Sequence, residues 1–314
     1  MLRVFRPRFR PVDTVHAEPL ARTASAKPSS TGRVTVRRLG HTIGALARSC
    51  HLGPTLAVTA LTTALALGVG ADARTCALIC AAILTGQLSV GWSNDWIDAA
   101  RDAAVGRQDK PIVGGSISTA TVRTAALIAL ACCVPLSLAT GWRAGIVHLA
   151  AVAAAWAYNL GLKSTAWSWA PYAFSFGLLP AFVALALPGH PWPAGWAVSA
   201  AALLGVGAHL ANVVPDLDDD RSTGVRGLPH RLGGAGSSLL APAVLLGATV
   251  LIVLGPVGSP SAAAWPGLAA ATVIAVVGAV VALTRARSRV PFYLTIAVAA
   301  VNVLLLVGAG PRLV

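Results

Sequence analysis

The sequence predicts an all-α, polytopic membrane protein with nine transmembrane helices. Three observations lead there. Only 11% of the 314 residues are charged, 56% are hydrophobic, and the mean hydropathy is +0.72; a soluble globular domain carries about 25% charge. Long runs rich in Ala, Leu, Val and Gly recur from about residue 54 onward, each near the ~20 residues that carry a helix across a bilayer. These runs are continuous rather than alternating. Spanning backbone must satisfy its own hydrogen bonds, so helices are selected over a closed barrel.

Taken in order, residues 1–42 form a separate region with nine basic residues: Arg3, Arg6, Arg8, Arg10, Arg22, Lys27, Arg33, Arg37 and Arg38. Pro, Ser and Thr lie between them, and no apolar core of a secretory signal is present. Such a segment buries too little to fold alone. It reads as a flexible basic cytoplasmic tail near anionic lipid. An Arg-rich, acid-poor head also fits an organellar transit peptide; the Ala/Gly/Arg-heavy composition favours a bacterium and its plasma membrane.

The apolar segments follow at 44–70, 73–93, 119–139, 143–160, 169–187, 194–214, 237–255, 262–283 and 290–309. Gly, Pro or charge marks the breaks, as in "GVGADAR", "LPGHPWPAGW" and "TRARSRVP". The first segment exceeds one span and is expected to begin with an interfacial stretch around "RSCHLGP". Trp142, Trp167, Trp169, Trp192, Trp196 and Trp265 cluster at segment ends, as an interfacial belt does.

The net charge of +13 is not a nucleic-acid signature, because its distribution follows the segments. The tail through Arg48 and the loops after segments two, four, six and eight hold 21 of the 24 Lys and Arg. The other side has only Arg74, Arg143 and Arg312. The positive-inside rule places the N-terminus and the even loops in the cytoplasm. The five cysteines lie in or beside apolar segments without zinc-ligand spacing. They read as packing residues, not as a disulfide framework.

Acid is concentrated as well. Of 11 acidic residues, eight lie in "NDWIDAARDAAVGRQDKP" (94–111) and "NVVPDLDDDRSTGVRGLP" (212–229). Asp95, Asp98 and Asp102 fall within about 60° of one another on a helix. Asn94, Asp98 and Asp102 form an i, i+4, i+8 row, and Asn212, Asp216 and Asp220 repeat it. Two like charges ~6 Å apart at an effective dielectric near 20 repel by roughly 2–3 kcal/mol. Something positive must offset this. Carboxylate and amide oxygens suit Mg²⁺, which is typically held by a few carboxylates plus substrate phosphates.

Arg107 and Lys110 follow the first cluster, Arg221 and Arg226 flank the second, and Lys163 ends "YNLGLK". Metal with Arg and Lys is the usual clamp on a departing phosphate group, and apolar helices alongside suit a lipid-tailed diphosphate. One Asp-rich loop is commonly a solvated turn; two with matched spacing on one side are not readily explained that way. Arg285–Arg289 reads as a membrane anchor. Tyr158 alone reads as an interfacial aromatic. His209 faces the same way as Asn212, but a structural hydrogen-bonding role weighs equally, and it is not counted in the site.

From residue 43 to 314 the sequence resembles the UbiA superfamily of intramembrane prenyltransferases. "NDWIDAARD" matches the pattern NDxxDxxxD, "DLDDD" matches DxxxD, and "YNLGLK" is similar to a Tyr–Lys element represented by Tyr158 and Lys163. Lys110 stands where Arg before Pro is common, and Pro215 where a basic residue is common. The resemblance implies a helical bundle around a central cavity capped by both Asp loops. It implies Mg²⁺ held by Asn94, Asp98, Asp102, Asp216 and Asp220, with Asp95 in support. Arg107, Lys110, Lys163 and Arg226 would neutralise the diphosphate of an isoprenoid donor, with Tyr158 near the allylic carbon. Diphosphate loss would give an allylic cation, captured by a lipid-soluble or aromatic acceptor. Tetrapyrrole, glycerol-lipid and sugar-phosphate acceptors are alternatives, as is a terpene cyclase. An ion-coupled transporter is the rival of a different class; its carboxylates would sit near the midplane in broken helices.

Overall fold

A computed structural model describes residues 30–285 and 288–314, with side chains from Gly40 onward. Residues 1–29, most of the expected basic tail, and Arg287 of the expected anchor lie outside the described residues. The chain is helical already from Ser30, inside the range given to the tail. Eleven helices follow in order, with no strand among the described residues. They are α1 (Ser30–Ser49), α2 (Leu52–Gly68), α3 (Ala73–Ala104), α4 (Thr119–Ala139), α5 (Trp142–Leu160), α6 (Ala170–Leu185), α7 (Gly195–Val213), α8 (Leu217–Ser222), α9 (Leu228–Leu254), α10 (Ala264–Thr284) and α11 (Val290–Gly308).

Six of these helices, α3, α4, α7 (continued through α8), α9, α10 and α11, are long and apolar enough to cross a membrane. The count is seven if the bent pair Gly40–Ser49 and Leu52–Gly68 is one span. The chain is an integral membrane protein. Two helices account for the shortfall from nine. Helix α6 is apolar but has only 16 residues. Helix α5 has 19 residues but carries Arg143, His148, Tyr158 and Asn159, which lower its apolar character. These two stand or fall together. The C-terminal ends of α3 and α7 meet through Arg107 and Asp216, so either both intervening helices cross or neither does.

The bundle packs in chain order: α2 on α3, α3 on α4, α5 on α6, α6 on α7, and α7 on α9, with α10 and α11 closing on α9. Leu65, Ile79, Ile83, Phe182, Leu185, Leu245, Leu306 and Leu313 are the largest fully buried apolar side chains of its main core. Burying each fully is worth ~1.5–3 kcal/mol against water, but much less against lipid, where close packing decides. Several polar side chains within the bundle donate to backbone carbonyls. Thr55, Thr59 and Thr62 donate to preceding carbonyls at 2.7–2.9 Å, and Asn302 Nδ2 donates to the Leu245 carbonyl at 2.8 Å. Asp72, outside both acidic clusters, caps α3 by accepting from the Thr75 N–H at 3.0 Å, the usual N-cap contact.

Three features of the backbone shape the site. The stretch expected to be interfacial is a 73° bend between Gly40–Ser49 and α2. At the bend His51 takes a left-handed conformation (φ 54°), uncommon for a residue with a Cβ. Gly91 lets α3 press on that corner: a Cβ there would collide with the Cys50 carbonyl. Finally, α7 does not run on through the second acidic cluster. Pro215 lacks an N–H and clashes with the preceding turn, and a 3-10 turn, Val214–Asp216, intervenes before α8. The second Asn-x3-Asp-x3-Asp row is therefore bent, whereas α3 carries the first without a break.

Candidate active site

Helices α2, α3, α5, α6, α7, α8 and α9 surround a cavity of about 550 Å³. Its polar part is lined by Asn94, Asp98 and Asp102 from α3, and by Asn212, Asp216 and Asp220 from the α7–α8 corner. Lys163, Arg107 and Lys110 line it too. Tyr158, Tyr172, Phe176 and His209 form an aromatic wall.

Lys163 is the centre of the polar network. Its Nζ lies 2.6 Å from each carboxylate oxygen of Asp98. The side chain is 8% exposed, which excludes a solvent-facing anchor. It hangs from a 3-10 turn, Leu162–Ser164, just past α5. Burial, with Arg101 beside it, pushes the ammonium down to about 7, although Asp220 and Asp102 act in the opposite direction. Arg101 also pairs with Asp98. Asn94 Nδ2 donates to Asp98 Oδ2 and to Asn159 Oδ1, both at 3.2 Å. Asn159 in turn holds α5 to α3 by donating to Ser93 Oγ at 2.8 Å and to the Val90 carbonyl at 2.9 Å.

The two acidic clusters are joined by Arg107, whose guanidinium lies 3.3 Å from Asp216 and 3.4 Å from Asp109. Asp220 accepts from His230 at 3.2 Å. Behind this network Tyr158 meets Tyr172 edge-on at 5.2 Å and His209 at 5.7 Å, and Tyr172 stacks on Phe176 at 6.4 Å.

Two residues of the expected site lie elsewhere. Asp95 is 2% exposed and turned toward the α1–α2 corner, where it pairs with Lys110 (2.5 Å) and His51 (3.2 Å). It does not line the cavity. Rotated 100° from Asn94 on the same helix, it faces a different neighbour. Arg226 is an exposed residue of the α8–α9 connection and lines a separate pocket. Conversely, Arg101, His51, Tyr172, Asn159, His230 and His209 join the cavity wall. Of these only His209 carried a sequence signal, its i−3 relation to Asn212. Its Nε2 lies 3.0 Å from Ser168 Oγ, which accepts the Leu228 N–H at 2.8 Å; it therefore also has the structural role.

Among the described residues, no three His, Cys, Asp or Glu converge closely enough to hold a metal ion by themselves. The carboxylates are divided between α3 and the α7–α8 corner, and Asp98 and Asp216 are each matched to cationic side chains. That donor set does not suit an all-protein cage. It does suit a hard divalent cation that takes one or two carboxylates from the protein and its other ligands from water and phosphate.

The sequence model of the UbiA prenyltransferase family matches residues 53–308. The Bacteriochlorophyll synthase 33 kDa chain of Cereibacter sphaeroides is 37% identical over 186 residues, which cover 54% of this chain. The match spans 60% of that relative's length. Among solved structures, a UbiA homolog from Archaeoglobus fulgidus bound to GPP and Mg²⁺ superposes with a TM-score of 0.63 at 14% identity, over 84% of this chain and 99% of that one. The apo structure of a UbiA homolog from Aeropyrum pernix K1 gives 0.62 at 20% identity, over 81% and 97%. At these identities the structural likeness establishes the fold.

Proposed function

The chain belongs to the UbiA prenyltransferase family, and from that premise we propose that it transfers a prenyl group from an isoprenoid diphosphate to an aromatic acceptor within the membrane. The observation that carries the reading is the joining of two acidic clusters across one cavity by Arg107 on Asp216, with Lys163 held on Asp98 in the same cavity, beside a wall of Tyr158, Tyr172 and Phe176.

Lys163, Arg107 and Lys110 would hold the donor's diphosphate. Asn94, Asp98, Asp102, Asp216 and Asp220 would hold Mg²⁺, which when bound supplies charge neutralisation to the leaving group. The C–O bond breaks heterolytically, and its electron pair leaves with the diphosphate. The aromatic wall excludes water and faces the allylic cation with π-density. An acceptor carbon attacks and then loses its proton. Asp95 acts indirectly, holding Lys110 at the cavity edge. The carboxylates sit at helix ends on one side, which favours this reading over ion transport.

The proposal extends to topology: nine spans including α5 and α6, with the N-terminus and both acidic clusters in the cytoplasm of a bacterium, and residues 1–42 as a basic tail. Reporter fusions after Arg107 and Arg226 should read cytoplasmic, and fusions at His190 and Ser259 external. Opposite readings at 107 and 226 would remove the shared site.

The reaction is tested by supplying purified protein with labelled prenyl diphosphates and a panel of acceptors. An aromatic-prenylated product supports the proposal. The likeness to a bacteriochlorophyll synthase favours a tetrapyrrole as second reading, which the same panel includes. A cyclic hydrocarbon formed without any acceptor would select a terpene cyclase, and no consumption of any donor would remove the enzyme reading.

A mutation also tests how the site is held. A Cβ on Gly227 would lie 2.6 Å from the Lys163 carbonyl and 2.7 Å from Ser168 Oγ, so the α8–α9 connection presses on the turn that carries Lys163. Gly227→Ala is expected to destabilise the protein by about 1–3 kcal/mol and to slow turnover. An unchanged thermal midpoint with full activity would show that this contact does not position Lys163.

A further inference from the structure

Beside the cavity lies a second pocket, of about 570 Å³, lined by Arg221, Arg226, Arg231 and His230. Its charge is poorly compensated. Arg221 is 3.4 Å from Asp218, a carboxylate that is 97% exposed. Arg226 and Arg231 have no carboxylate partner among the described residues; Arg231 Nε donates only to the Arg226 carbonyl, at 3.4 Å. Arginines spread for solubility would point apart. Here backbone contacts gather them, since Arg221 also donates to the His230 carbonyl at 3.1 Å.

The inner wall is His230, whose side chain is 4% exposed. Its Nε2 faces Asp220, and its Nδ1 is buried without a hydrogen-bond partner. It lines both pockets, so the arginine pocket is one side chain away from the second acidic cluster. Guanidinium groups match phosphate oxygens bidentately, and like charges held together favour an anion between them.

We propose that this pocket is a second anion site, for a phosphate-bearing group: free inorganic diphosphate or the headgroup of an anionic lipid. The site stands independently of the catalytic reading, and its test requires no turnover.

Full-length protein is placed in phosphatidylcholine nanodiscs with excess chelator, and binding of labelled inorganic diphosphate is measured at equilibrium. If free diphosphate is the ligand, wild type binds it, and the Arg221→Gln/Arg231→Gln double variant weakens binding at least about tenfold. Lys163→Gln weakens only diphosphate held in the main cavity, so binding that persists in it and is lost in the double variant belongs to the arginine pocket, whereas binding lost in Lys163→Gln and kept in the double variant overturns the proposal. If a lipid headgroup is the ligand, protein in mixed nanodiscs retains phosphatidylglycerol in preference to phosphatidylcholine, and the double variant loses the preference. Because the substituted positions are exposed, Arg231→Gln alone serves if the double variant folds poorly, with a smaller loss in the same arm. Equal behaviour of wild type and variants in both arms overturns the proposal.

Discussion

Asp98→Asn and Asp216→Asn are both expected to lower turnover of a prenyl diphosphate by at least about 10²–10³-fold, the scale seen when one preorganised electrostatic contact is removed. They should differ in stability. Asp98 is 15% exposed and faces Lys163 at 8%. Neutralising it leaves a buried ammonium without its partner. That costs about 1–3 kcal/mol, less than the roughly 3–5 kcal/mol of a broken buried pair, because Lys163, lowered to about 7 by burial, can shed its proton. Asp216 is 42% exposed and Arg107 25%, so its loss should leave the thermal midpoint nearly unchanged. Turnover and thermal unfolding measured on both variants check this. Wild-type turnover in either variant would remove that carboxylate from the site.

Lys163→Ala is expected to slow turnover by about one to two powers of ten, the value of a lost charged hydrogen bond of ~1.5–3 kcal/mol expressed as a rate. Lys163→Arg should restore only part. The ammonium sits as a point charge on both oxygens of Asp98, in a turn already pressed by Gly227, and a planar guanidinium needs a different space. Lys163→Ala with unchanged kinetics and normal insertion would reduce the residue to a structural counterion of Asp98.

Much of this architecture was legible in the sequence because the membrane imposes a simple rule. A run of ~20 apolar residues has few alternatives to a helix, so α3, α4, α7, α9, α10 and α11 fall where the runs do. The acidic clusters were legible because acid is scarce elsewhere, and Lys163 because its spacing from Tyr158 could be matched to a family element. Spacing alone cannot say what a residue faces once neighbours pack. Asp95 satisfies the helical arc as well as Asp98 does, yet the bend before α2 brings His51 to it across 44 positions. Arg226 stands beside the second cluster in sequence but outside the cavity, because Pro215 breaks α7 and the α8–α9 connection carries it elsewhere. Tyr172 and Asn159 gave no signal, being an ordinary aromatic and amide in apolar helices. The apolar runs at 143–160 and 169–187 became α5 and α6, which fall short of a span in composition or in length: α5 carries Arg143, His148, Tyr158 and Asn159, and α6 has only 16 residues.

The claim that both acidic clusters serve one metal-dependent ionisation is tested most directly by diphosphate release. Purified full-length protein is given a labelled prenyl diphosphate while chelator is added and Mg²⁺ is then titrated back. The account predicts that release stops in chelator and returns with Mg²⁺ in the wild type, and does not return in Asp98→Asn or Asp216→Asn. Release that continues undiminished in excess chelator, in the wild type and in both variants, would contradict it.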